Sequence, residues 1–208
     1  MAEAVEKPQL GGYMEDWSEG EPHFSGEKNV AQFYNGRTFP GCRHMPVHLV
    51  SLDLNRFNVL SAPVRKIGAL HLVYSNCEAC DAWMMSGEDY DAEMFFHIGH
   101  DHRLTPIGAE KYGMRCQEGS VTFAPREKMA IRFQPYTEDD EYPPVFVGGD
   151  PKWVQGDDWL LCPECEKGME FVSRIRAGHL EAVSFGDQDL FAFVCPDCRI
   201  AGLKMQMT

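Results

Sequence analysis

Apolar positions in this chain come in short runs, many alternating with polar ones at the two-residue period of strands with a buried face. Residues 47–52, 68–74, 94–97, 121–123, 129–133, 170–173 and 190–194 read as strands, rich in β-branched and aromatic side chains. Proline and glycine separate them at Pro63, at Pro106 and Gly108, at Pro143-Pro144 and at Gly148-Gly149. Helical signals are few: Asp53 to Val59 and a turn near Ala109. The pattern predicts an α+β protein that is mostly β.

Residues 1–30 break this pattern. Seven acids (Glu3, Glu6, Glu15, Asp16, Glu19, Glu21, Glu27) face only Lys7 and Lys28, with Gly11-Gly12, Gly20 and Gly26 among them and almost no aliphatic residues. Such a composition reads as an acidic, mobile arm, leaving residues 31–208 as a single domain.

That domain repeats itself. Cys42-Arg43-His44 precedes one predicted strand pair, which runs into Cys77-Glu78-Ala79-Cys80. Cys162-Pro163-Glu164-Cys165 precedes another, which runs into Cys195-Pro196-Asp197-Cys198. The first-to-second offsets are 35 and 33 residues. Two related halves, about 38–135 and 145–208, are therefore expected, forming a pseudo-duplicated antiparallel sheet with zinc-ribbon-like knuckles.

The knuckles carry the most specific chemistry. Two Cys-x-x-Cys pairs supply four thiolates, the set a tetrahedral Zn²⁺ takes, and the proline after each first cysteine stiffens the turn. Cys162, Cys165, Cys195 and Cys198 form the first expected site. Cys42, His44, Cys77 and Cys80 form a second, with imidazole replacing one thiolate. One zinc is expected and a second fits the repeat. Four thiolates leave no open position on the metal, so the first site is structural and cannot activate water. Cys116 belongs to neither set and reads as a buried thiol.

The second half also reads Val147-Gly-Gly-Asp-Pro151-Lys-Trp153-Val-Gln155, then the first knuckle, Met169-Glu-Phe171, and Phe191-Ala-Phe193-Val-Cys195. With the segment from Met45 to Ser75, this order resembles the YwqG-like family of bacterial proteins of unknown function over roughly residues 38–208. The resemblance implies a single α+β domain with a pseudo-duplicated sheet, in which zinc is scaffold. The layout is also similar, more weakly, to the programmed-cell-death-2 zinc domain, which implies escort of a ribosomal protein. The residues themselves read as architecture: Gly148-Gly149 as a positive-φ turn closed by Pro151, and Trp153 as an anchor lying across the sheet.

Charge narrows the classes. Thirty-two acidic residues against 19 basic ones give a net charge of −13, which argues against nucleic-acid binding and permits a basic protein partner. No apolar run approaches the roughly 18 residues a membrane span needs, and the acidic N-terminus does not read as an export signal. A cytoplasmic address, with thiols kept for metal, is the expectation.

Catalytic signals are thin. His100 and His102, on a continuing strand, would share a face as a His-x-His metal pair of a hydrolase, completed by Glu93 or Glu118. No nucleophile elbow, phosphate loop or deaminase His-x-Glu accompanies them. The reading is therefore a zinc-stabilised, non-catalytic binding protein. Its sharper form is an immunity-type protein neutralising a basic bacterial toxin, since the resembled family has members beside toxin genes. Glu138, Asp139, Asp140 and Glu141, with Asp157 and Asp158, are the candidate partner-binding acids; a metal-dependent hydrolase or an escort for a basic client are the alternatives.

Overall fold

The computed structural model describes residues 8–40, 42–75, 77, 93–108, 127–137, 142–176 and 188–207. They form β1 (Gln9–Asp16), β2 (Phe24–Ser25), β3 (Val47–Asp53), a short helix α1 (Ala62–Arg65), β4 (Ala69–Tyr74), β5 (Met94–Ile98) and β6 (Leu104–Ile107). β7 (Met129–Pro135), β8 (Val145–Gly148), β9 (Glu170–Arg176), β10 (Gln188–Cys195) and β11 (Ile200–Met207) follow. All eleven belong to one sheet in the order β4-β3-β2-β7-β1-β8-β9-β10-β11-β5-β6, and every neighbouring pair is antiparallel.

The two end strands are drawn toward each other, so the sheet nearly closes into a barrel. Residues 33–35 fill the seam. Phe33 stacks on His71 of β4 with ring centroids 4.3 Å apart, while its carbonyl accepts the Leu104 N–H of β6 at 2.7 Å. Tyr34 bridges Leu104 in parallel. Across the same seam the Ala69 N–H of β4 donates to His102 Nδ1 at 3.5 Å. Closing a twisted sheet satisfies edge groups that would otherwise template pairing with another chain.

β10 shows how the strand pattern builds two cores. All eight of its residues are buried. Leu190, Ala192 and Val194 join the main interior cluster with Leu49, Leu70 and Leu203. The alternate residues Phe191, Phe193 and Cys195 form a second cluster with Leu160, Met169 and Ile200. The segment carrying Trp153 covers that outer face, stacking on Phe191 at 4.8 Å and on Phe193 at 5.9 Å. A large aromatic there adds about 1.5–3 kcal/mol by burial and about 0.5–1.5 kcal/mol per ring pair.

Two of the hairpins share local features. β3–β4 and β9–β10 each carry a register shift, at His48/Val50 and at Ala192/Phe193, and each runs back to a cysteine, Cys77 and Cys195. The third strands differ: β11 returns along β10, whereas β5 pairs with β11.

Two expectations are corrected. Residues 9–25 are not a mobile arm, because β1 sits mid-sheet between β7 and β8 and pairs with β7 from Leu10 to Asp16. Arg132 of β7 reaches both Glu15 and Glu21, so the acids are tied down by cross-strand charge. The helix expected at Asp53–Val59 is only a 3-10 turn, Leu54–Arg56, with the Asp53 carboxylate accepting the Asn55 N–H. The helix itself comes later, capped by Ser61 and opened by Pro63. The strand expected at 121–123, the turn near Ala109, and Cys116 lie outside the described residues.

Candidate metal centres

The tetrad is assembled at the ends of β9 and β10. Both knuckles share one backbone device: the residue after the second cysteine is left-handed, Glu166 at φ 57° and Arg199 at φ 53°. That conformation is costly for a residue with a side chain, and it curls each loop back over its own sulfurs. The Glu166 N–H donates to the Cys162 carbonyl, and the Cys162 N–H to the Lys167 carbonyl, both at 2.9 Å. Arg199 fixes the second knuckle to the β5–β6 turn through the carbonyls of Ile98, at 3.0 Å, and Gly99, at 2.9 Å.

The sulfurs of Cys162, Cys165, Cys195 and Cys198 all lie within 4.8 Å of one another. Cys165 Sγ and Cys195 Sγ are 3.7 Å apart. A tetrahedron with metal–sulfur bonds of about 2.3 Å has edges of about 3.8 Å, so the set is spaced for a metal and too wide for a disulfide. Electrostatics agree. The Lys167 backbone N–H favours the Cys165 thiolate. Hydrogen bonding with Cys165 then pushes the Cys198 thiol up, and burial does the same for Cys195. Four thiolates this close ionise together only around a cation, which reverses that balance.

The second group stands at the base of β3–β4. Cys42, His44 and Cys77 offer ligand atoms within 4.8 Å of one another. Cys42 Sγ and His44 Nδ1 are 3.5 Å apart, against about 3.6 Å for the sulfur–nitrogen edge of a tetrahedral zinc site. A tight turn presents them, the Cys42 N–H donating to the Phe39 carbonyl and the Phe39 N–H to the His44 carbonyl, both at 2.9 Å. Cys42 and Cys77 are buried. Cys80, the expected fourth ligand, lies outside the described residues.

The remaining expected site residues are placed in part. Glu138–Glu141 lie outside the described residues. Asp157 is exposed, but Asp158 forms an ion pair with the buried ammonium of Lys204, which Glu93 also approaches at 3.4 Å. The His-x-His pair is corrected: β5 ends at Ile98, and residues 99–103 form the tight turn to β6, with the His102 N–H donating to the Gly99 carbonyl. His100 is exposed, while His102, at φ 63°, turns toward Gly68. Gln155 contributes its backbone N–H to Gln206 Oε1 at 3.1 Å.

A buried relay escaped sequence reading. The Glu27 N–H donates to His48 Nδ1 at 3.2 Å, His48 Nε2 meets Ser51 Oγ at 2.8 Å, and Ser51 Oγ meets His71 Nδ1 at 2.6 Å. The β3 register shift sets His48 on the same side as Ser51, three residues on, which a regular strand would not do. Burial, then the neighbouring His71, holds His48 well below its ordinary value. Burial, then His102, lowers His71 to about 4.

Fold and site define a mostly β, near-barrel protein with two cysteine-based clusters of metal-ligand geometry at the ends of related hairpins. Over 62 residues, 30% of its length, the chain is 32% identical to the uncharacterized protein YpfL of Salmonella typhimurium strain LT2, and the match spans 15% of that protein. No family model and no solved structure matches the chain.

Proposed function

We propose that the protein is a zinc-stabilised scaffold that acts by binding another protein. The carrying observation is the pair of clusters whose edges, 3.7 Å between sulfurs and 3.5 Å between sulfur and nitrogen, suit tetrahedral zinc. In the first, Cys162, Cys165, Cys195 and Cys198 complete the coordination shell, so the ion clamps two knuckles and leaves no position for substrate. Structural zinc contributes on the order of 10 kcal/mol of apparent folding free energy, tying together segments that are far apart in sequence.

The binding role rests on the net charge of −13 and on the YwqG-like resemblance of residues 38–208. Together they favour an immunity-type protein that occludes the cationic site of a basic toxin, with Asp157 and the run Glu138–Glu141 as contact acids. Asp158 is withdrawn from that surface by its pairing with Lys204. Affinity capture from the native host tests this, followed by charge reversal of Glu138–Glu141 and a salt titration of the captured complex. A stoichiometric basic toxin domain, released by salt and by charge reversal, is the expected result. A ribosomal protein in its place would establish the escort reading. A partner indifferent to both salt and charge reversal would refute the electrostatic account.

A further inference from the structure

The outer face of β8 and β9 carries a cavity of about 590 Å³, within the 300–1,000 Å³ range of small-molecule sites. Its floor follows from strand register. Gly11, Phe146, Arg174 and Phe191 stand in one row across β1, β8, β9 and β10. Gly11 leaves a gap in that row: a Cβ there would lie 2.9 Å from Pro143 and 3.3 Å from Tyr136. Tyr136 occupies the gap and meets Phe146 edge-on, ring centroids 4.9 Å apart. Tyr142 stands at the rim beneath the Arg176 guanidinium, 4.4 Å from ring to cation. Trp153 and Lys152 form the opposite wall.

The lining is unlike the rest of this acidic protein. Lys152, Arg174 and Arg176 line it and, among the described residues, no carboxylate does. Asp189 lies behind the wall, buried against Arg174 at 2.5 Å and Arg176 at 3.8 Å, so one carboxylate is shared by two guanidiniums. Arg174 is held rigid, its Nη1 donating to the Lys152 carbonyl at 2.7 Å, yet its Nε is buried without an acceptor among the described residues. The side-chain amide nitrogen of Gln9, also in the lining, is likewise buried without one. Buried donors left unmatched are costly, and here both belong to residues of one cationic, aromatic cavity.

We propose that this cavity binds a small organic anion made of a flat ring bearing a carboxylate or phosphate. The ring lies among Tyr136, Tyr142 and Trp153, and the anionic oxygens face the charges of Arg176 and Lys152. Fixed guanidinium groups suit planar oxyanions, and aromatic walls exclude the water that would screen them.

Titration calorimetry of the zinc-loaded full chain tests the proposal with three probes: adenosine monophosphate, indole-3-acetate and inorganic phosphate. One-to-one binding of a ring-bearing probe is expected at about 1 mM or tighter, with phosphate alone at least about tenfold weaker. Whether the nucleotide or the indole acid binds tighter distinguishes a phosphate from a carboxylate ligand. Arg176→Gln and Lys152→Asn, chosen because they spare the Arg174–Asp189 pair, should each weaken binding about tenfold, measured at a temperature where circular dichroism shows each variant folded. The proposal is overturned if neither ring probe binds in that range, if phosphate binds as tightly, or if both variants bind like the parent chain.

Discussion

Lys204 illustrates how single residues in this protein are intelligible only through their neighbours. It lies on the inner strand β11 with its side chain 3% exposed, held by Asp158 and Glu93. Gln206, two residues on, anchors the loop of the 150s, accepting the Val154 N–H at 2.8 Å and donating to the Gly156 carbonyl at 3.0 Å. Removing a partner from a buried charge leaves desolvation uncompensated. Asp158→Asn should therefore cost about 1–3 kcal/mol, read as a lowered urea midpoint, and an unchanged midpoint would show Glu93 alone to suffice. Gly12 shows the converse dependence. An added Cβ would sit 2.6 Å from Phe133 and 2.7 Å from Ile131, so Gly12→Ala should destabilise by about 1–3 kcal/mol through overpacking, whereas Gly20→Ala, with nothing within 4 Å of its Cβ, tests only the cost of its positive φ.

At the scale of elements, legibility tracks whether a strand's evidence is its own. The strands β3, β4, β9 and β10 announce themselves because each buries its own β-branched and aromatic residues. The cysteine tetrad is legible because each Cys-x-x-Cys knuckle is a contiguous motif. β1 does not, because Gly11 and Gly12 leave the volume to Tyr136, Ile131 and Phe133 of another segment, and its acids are neutralised by Arg132. β11 hides behind Gly202, Lys204 and Gln206, whose partners are distant in sequence. The histidine relay needs a bulge that no periodicity reveals. It also sets a pH response. His71 titrates near 4 and His48 well below its ordinary value. His23 is lowered to about 4, chiefly by burial. With an unfolded value near 6.5, the unfolded chain binds more protons between these limits. The stability these imidazoles contribute is complete above pH 6.5 and is lost as pH falls toward 4, at up to about 1.4 kcal/mol per group per pH unit. Urea unfolding of zinc-loaded protein between pH 7 and 5 should show that slope, and His71→Gln should reduce it. An unchanged slope in the variant would assign the acid sensitivity elsewhere.

For the whole molecule, the sheet, its seam and its two clusters form one argument. A single near-closed sheet joins both halves, with β5 of the first pairing with β11 of the second, so loosening either hairpin is felt across the barrel. Zinc at the hairpin ends is the account's central claim, and ligand substitution with metal counting tests it most directly. Purified under reducing conditions, the protein should carry two zinc ions per chain. Cys198→Ser and Cys77→Ser should each retain one, and the first should melt at a markedly lower temperature. Two zincs in the parent and one in each variant are the result expected; a chain that carries no zinc, or variants that keep the parent's count, would contradict it.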